Sequence, residues 1–152
     1  MIPTRYVSKL SKKDTKSQIR MLQKSRKMYK EHRYYTRKKL PSYHNKTSNH
    51  ILNARKIYNV DKIVPSKELS LKTGCSLSAL NKIVRKGEGA YYSSGSRPNQ
   101  TPFSWGLARL ASSITGGKSA AVDYDILEGC NHHQKAFLLA RKARSKNCPS
   151  ST

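Results

Sequence analysis

The stretch Ser66–Gly87, SKELSLKTGCSLSALNKIVRKG, decides the fold class. Ser66 stands where a helix cap belongs and Gly74 where a helix stops, which leaves a short helix between them. Ser76 then caps a second helix, with Leu77, Leu80, Ile83 and Val84 inward, and Gly87 is expected to end it. Apolar residues recur here every three or four positions, the period of a helix and not of a strand.

The flanking chain repeats this grammar. Downstream, a Gly/Ser/Pro loop is expected over about 87–101, after which Thr101 caps a helix with Pro102 at its favoured first position. Phe103, Leu107, Leu110 and Ile114 share one face of it, while Trp105, Ala108 and Ser112 make a second stripe. Gly116-Gly117 closes this helix, and Ser119 opens a shorter one with Val122 and Ile126 inward, ending at Gly129. Asn131 can cap a last helix through about Arg144, with Phe137 and Ala140 inward. Upstream, Ser11-Lys12-Lys13-Asp14 has capping-box spacing with Asp in place of Glu, ahead of a helix over about 12–34. Its apolar stripe of Ile19, Leu22 and Tyr29, beside Met21 and Met28, is narrow and interrupted by Arg26, so this helix needs a surface to lie on. Pro41 ends the section, and Ser48 or Asn49 caps a short helix carrying Ile51, Leu52, Ile57 and Tyr58. No segment alternates as a strand would. The expected class is all-α: a small multi-helix domain with a long basic N-terminal arm and a basic C-terminal helix and tail.

Charge divides the chain. The 152 residues carry 31 Lys+Arg against 8 Asp+Glu, a formal +23. Residues 1–60 hold 17 basic and 2 acidic side chains, 61–129 hold 9 and 6, and 130–152 hold 5 and none. The expected organisation is a basic arm (1–60), a nearly neutral helical domain (61–129) and a basic tail (130–152). Such an excess repels itself in a free compact chain, so a partner of opposite sign is expected. Lys12, Lys13, Arg20, Arg26, Lys27, Arg33, Arg37, Lys38 and Lys39, with Tyr34 and Tyr35 among them, are the arm's candidate partner-binding residues. Tyrosine interleaved with Lys and Arg suits stacking on bases beside phosphates, and it suits an acidic protein surface equally well.

Several chemistries find no support. Gly117-Lys118-Ser119 ends like a phosphate loop, but Ser112 stands where that loop needs its first glycine, and a periodic helix precedes it. Gly87-Glu88-Gly89 lacks the third glycine of a dinucleotide fingerprint, since Tyr92 occupies its place. Cys130, His132 and His133, with Cys75 or Cys148 nearby, have no metal-ligand spacing. Asp123 and Asp125 fall on different helix faces and do not pair as acid and base. No catalytic constellation stands out, so the chain is read as non-enzymatic, with neither cofactor nor metal. Three irregularly spaced cysteines are expected to be free thiols in a reducing compartment. The first residues have no apolar core, so no secretory signal is expected, and the sequons at Asn45 and Asn99 are read as chance.

The opening stretch admits a second use. Two short helices meeting at Thr73-Gly74-Cys75-Ser76 have the layout of a helix-turn-helix, in which Ser76, Ser78, Asn81, Lys82 and Arg85 would face a DNA major groove. An ordinary helical hairpin has the same pattern.

A resemblance extends these readings. Arg5-Tyr6, Leu10–Asp14, Gln18-Ile19, Lys24–Lys27, Tyr29, Tyr34–Lys39, Ser48 and His50 resemble the basic segment of small virion-associated, minor capsid-type proteins of large double-stranded DNA viruses of algae and protists. Gly87, Gly89–Pro98, Ser104–Gly106, Ala108-Arg109 and Thr115–Lys118 are similar to a short domain of the same viruses and some phages. The resemblance implies a minor capsid protein that cements neighbouring capsid proteins through its basic arm and resides in the virion, assembled in the infected host cell. Its partners would be major and other minor capsid proteins, with genome DNA or the inner viral membrane surface nearby. The loop 93–98 with Trp105 and Arg109 would be the family hallmark, with Arg97 aimed outward and Trp105 packed in the core. The alternative is a DNA-binding protein, either a helix-turn-helix regulator or a genome-condensing factor.

Overall fold

The computed structural model describes residues 1–147, and the last five residues, Cys148 included, lie outside that range. Among the described residues there are eight α-helices, one 3-10 turn at Thr4–Tyr6 and no strand, so the chain is all-α. The helices are α1 (Lys12–Lys30), α2 (Asn49–Tyr58), α3 (Lys67–Thr73), α4 (Leu77–Ser93), α5 (Pro102–Ile114), α6 (Lys118–Val122), α7 (Tyr124–Leu127) and α8 (Lys135–Asn147).

Most helix starts follow local capping chemistry. Ser11, Ser48, Ser66, Ser76 and Thr101 each accept a hydrogen bond from a backbone N–H in the first turn that follows. At Ser11 the capping box is incomplete, because Asp14 is turned to Ser42 and accepts from its N–H (3.0 Å) and hydroxyl (2.5 Å). The Ser42 hydroxyl oxygen takes the Ser11 N–H instead (3.0 Å).

Four helix boundaries differ from expectation, each for a visible reason. Helix α8 begins at Lys135 rather than directly after Asn131, because Asn131 opens a turn whose carbonyl takes the Gln134 N–H. Helix α1 stops at Lys30 because His32 turns left-handed (φ 60°) and the Arg33 N–H closes on the Met28 carbonyl, sending the chain back extended. Helix α4 runs through Gly87 and Gly89 to Ser93, and the loop begins only there. Gly87 is kept small by a helix crossing rather than by a turn: a Cβ on it would lie 2.6 Å from Gly106 Cα. The segment 118–127 breaks at Asp123 into α6 and α7, which shifts the helical phase. Val122 is therefore exposed and Ile126 half-buried, whereas Ala120 and Leu127 point inward. Helix α5 buries Leu110 and Ile114 as expected, with Leu107 packed beside them, but its buried face is wider, taking in Gly106, Ala111, Ser112 and Ser113, while Phe103 is exposed.

The chain forms two compact units. One combines Met1–Lys46 with Glu88–Trp105; the other combines Thr47–Gly87 with the chain from Gly106 on. The basic N-terminal segment is thus folded against 88–105, the surface its narrow stripe required. The second unit holds the larger apolar core, including Tyr58, Leu69, Leu80, Ile83, Leu110, Ile114, Leu127 and Phe137.

The cysteines correct the sequence reading. Cys75 and Cys130 are joined in a disulfide, with Cα atoms 4.4 Å apart. Beside it the Asn131 N–H donates to the Gly74 carbonyl (2.8 Å). Spacing along the chain could not show this, because the pairing depends on the fold bringing the α3–α4 turn to the α7–α8 loop.

A candidate polycationic binding face

Helix α1 turns Asp14, Gln18, Leu22 and Ser25 inward, at i, i+4, i+8 and i+11. The opposite side carries Lys12, Lys13, Lys16, Arg20, Lys24, Lys27 and Lys30, all exposed. Lys16, Arg20, Lys24 and Lys27 stand one turn apart in a row about 16 Å long. Among the described residues none of the four pairs with a carboxylate. Like charges at this spacing each weaken a helix by about 0.2–0.5 kcal/mol, so the row is a cost within the free unit that an anionic neighbour would relieve. Sequence reading named Arg20 and Lys27 but missed Lys16 and Lys24. The i, i+4 arithmetic from Arg20 would have found both.

The other arm candidates separate into outward and inward groups. Lys38 and Lys39 are exposed, as is Arg97 on the loop after α4. Arg33 is exposed and pairs with Glu31. Tyr34 is 66% exposed and packs 5.0 Å from Tyr92 and 6.2 Å from Tyr29, ring to ring. Tyr35 is half-buried under the Lys24 ammonium, 4.4 Å from its ring centre. Arg26 turns inward instead, donating to the carbonyls of Ser94 (2.8 and 3.2 Å) and Met1 (3.2 Å).

Arg37 is the largest departure from a surface role, at 8% exposure. Its guanidinium donates to Ser25 Oγ (2.9 Å), the Tyr91 carbonyl (2.9 Å) and Ser96 Oγ (2.8 Å), and lies 3.8 Å over the Tyr91 ring. Burial lowers its pKa from the usual arginine value, while the Tyr91, Tyr6 and Tyr35 hydroxyls act the other way. The loop after α4 is the receptor for this segment. Gln18 donates to the carbonyls of Tyr6 and Ser96, and the Asn99 side chain exchanges hydrogen bonds with the Leu40 backbone. Gly95 must be glycine: its φ is 114°, and a Cβ there would meet Leu22 at 2.7 Å. Trp105 is half-buried, edge-on to Tyr6 at 6.0 Å.

In the second unit the α3–turn–α4 residues sort by exposure in a pattern that a helix-turn-helix reader and an ordinary hairpin share. Gly74 adopts the left-handed region (φ 77°) and Leu69, Thr73, Cys75, Leu80 and Ile83 are buried. Ser76, Ser78, Lys82 and Arg85 are exposed, and Asn81 is half-buried. Asp123, by contrast, is structural. It is fully buried and accepts from Arg109 at both oxygens (2.7 and 3.0 Å) and from Ser113 (2.8 Å), with Lys86 at 3.3 Å. Burial pushes its pKa up, but the Arg109 and Ser113 hydrogen bonds with the charges of Arg109 and Lys86 outweigh this and hold it below the usual carboxylate value.

His132 stacks on Phe137, with ring centres 3.9 Å apart, and its Nε2 lies 2.7 Å from the Glu128 carbonyl. Among the described residues no group of three His, Cys, Asp or Glu side chains converges as metal ligands would. No described helix is long and apolar enough to cross a membrane.

Fold and surface together define a small all-α protein with a cationic, self-repelling face. The chain belongs to the family of unknown function DUF5824, which it matches over residues 3–128. No curated protein and no solved structure matches it.

Proposed function

We propose that this is a non-enzymatic minor capsid protein of a large DNA virus, holding acidic surfaces of neighbouring capsid proteins against the outer face of α1. The observation that carries the reading is the exposed row Lys16, Arg20, Lys24 and Lys27, mutually repulsive and without an internal counter-charge. The inward side of α1 fixes the row in place, so this cationic surface is pre-ordered rather than a loose tail. The resemblance of the N-terminal run and of 87–118 to minor capsid-type proteins supplies the assembly. Genome DNA and the inner viral membrane are the further anionic surfaces within such a particle.

Cross-linking mass spectrometry on purified virions tests this. Cross-links from Lys16, Lys24 and Lys27 to capsid proteins are expected, along with loss of packaging when the four cations are reversed to glutamate. Absence from particles, or release by mild salt from intact shells, would sink the proposal.

A second reading, DNA binding, is favoured by one observation: the exposure of Ser76, Ser78, Lys82 and Arg85 on the opening turns of α4. It calls for duplex affinity that falls by ~10³-fold or more between ~50 and ~200 mM salt if about six phosphates are engaged. It also calls for loss of sequence preference in Asn81→Ala and Arg85→Ala. A capsid cement would be indifferent to those two substitutions.

A further inference from the structure

A different surface carries its own argument. Along α8 runs an open groove of about 420 Å³ lined by Ile57, Lys135, Leu138, Leu139, Arg141 and Lys142. A neighbouring depression of about 350 Å³ shares Leu139 and Lys142 and continues to Thr115, Gly116 and Lys146. The two lie side by side along α8 in the second unit and are taken together as one trough. Its floor is apolar, with Ile57 and Leu139 half-buried and Leu138 39% exposed. Its rim is Lys135, Arg141, Lys142 and Lys146, all exposed, and no carboxylate lines either part.

We propose that this trough docks a short acidic amphipathic helix of a partner protein. From Lys135 to Lys146 the rim extends about 16 Å, or three helical turns. That is the span over which a docked helix presents apolar anchors at i, i+4 and i+7. Leucine-type anchors would fill the floor while flanking glutamates or aspartates meet the four cations. An anionic bilayer is the competing occupant, and phospholipid vesicles are set against the peptide in the experiment for that reason. Phosphate alone would meet the cations and leave Ile57, Leu138 and Leu139 uncovered. A second copy of this chain would bring a further +23 against the same rim and holds only 8 acidic residues in all. A foreign acidic segment is the complement that remains. None of this depends on the α1 face.

The test uses the full-length protein and a fluorescent synthetic helix with leucines at i, i+4 and i+7 and glutamates on its other face, followed by fluorescence polarisation. Binding at least ~10-fold tighter than to a peptide of the same composition with scrambled leucines is expected. Leu138→Asp and Lys142→Glu, both at exposed positions, should each weaken it by ~10-fold or more. Reversing Lys16, Arg20, Lys24 and Lys27 should leave it unchanged, which separates this surface from the α1 reading. Equal binding of the scrambled peptide would reduce the trough to a charged surface and overturn the proposal. So would indifference to both variants, or displacement of the peptide by anionic phospholipid vesicles in a Leu138-dependent way.

Discussion

The two units solve the problem of a compact core in opposite ways. The second packs leucine, isoleucine, alanine and aromatic side chains around one buried carboxylate, Asp123, which has two cations to meet it. The first gathers Leu22, Leu40, Tyr6 and Tyr91 around a buried cation, Arg37, held by neutral oxygens and a ring face, with no carboxylate partner. The contrast shows how a chain this basic can fold at all. Where acids are scarce, backbone carbonyls and serine hydroxyls replace them as acceptors, supplied by α1, the end of α4 and the loop after it. It also locates where each unit should break.

The largest effect belongs to the second unit. Its disulfide closes a loop of 55 residues between Cys75 and Cys130, and on the chain-entropy account such a closure is worth about 4 kcal/mol. Reduction, or Cys75→Ser with Cys130→Ser, should therefore lower protection of the Leu80–Val84 amides by roughly that amount in native-state hydrogen exchange. An unchanged exchange pattern would show that the apolar core needs no staple.

Arg37 is the corresponding weak point of the first unit. Arg37→Ala leaves Ser25, Ser96 and the Tyr91 carbonyl without their donor, and about 3 kcal/mol of destabilisation is expected, near the upper end for one substitution. Arg37→Met separates charge from packing. It restores bulk but no donor, so it should rescue little; substantial rescue would mean that the cavity mattered and the hydrogen bonds did not. Arg37→Lys should recover only part, since an ammonium lacks the planar fork that meets three separate acceptors.

Acid should have a smaller effect over ordinary conditions. It acts on the second unit through Asp123 and on the first through Asp14, which the Ser42 hydrogen bonds also hold below the usual carboxylate value. The Asp123 pKa is depressed in the folded state, so its contribution is present above the unfolded aspartate value of ~3.9 and is lost as pH falls through the folded value. A decline in stability of the second unit below about pH 4 is expected, and Asp123→Asn should flatten it. Circular dichroism titration of both proteins measures the difference.

Much of this was legible in the sequence, and the part that was not has a common cause. Caps at Ser11, Ser48, Ser66, Ser76 and Thr101 are local devices, so serine or threonine followed by an apolar period revealed them. Inward faces were mostly legible for the first helices of the second unit, where Leu80, Ile83 and Val84 are buried as expected although Leu77 is exposed. In α5 they were legible only in part: Leu110 and Ile114 are buried as expected, but Phe103 is exposed, and Gly106 and Ser113 lie inward for reasons outside their own helix, a backbone crossing at Gly87 and a bond to Asp123. Arg37 was misplaced on the same principle. Nothing local distinguishes it from Lys38 and Lys39, and only the pairing with Tyr91 and Ser96, more than fifty residues on, turns it inward.

The smallest predicted effect tests that cause most directly, because it compares two glycines in one helix. Gly87 reads as the helix stop and Gly89 as part of the loop after it, and α4 runs through both. A Cβ at Gly87 would lie 2.6 Å from the Gly106 Cα and 3.2 Å from the Arg109 Cβ, and a backbone atom cannot swing aside. A Cβ at Gly89 would meet nothing within 4 Å. Gly87→Ala should then force the crossing apart and destabilise by about 1–3 kcal/mol, in the range of overpacked cores. Gly89→Ala should stabilise by about 0.5–1 kcal/mol, since alanine gives up less backbone freedom in a helix. Denaturant titration of the two variants against wild type reads both signs. Equal gains would mean that α4 and α5 do not cross at these residues, whereas equal losses would return Gly89 to the loop and end the helix near where the sequence placed it.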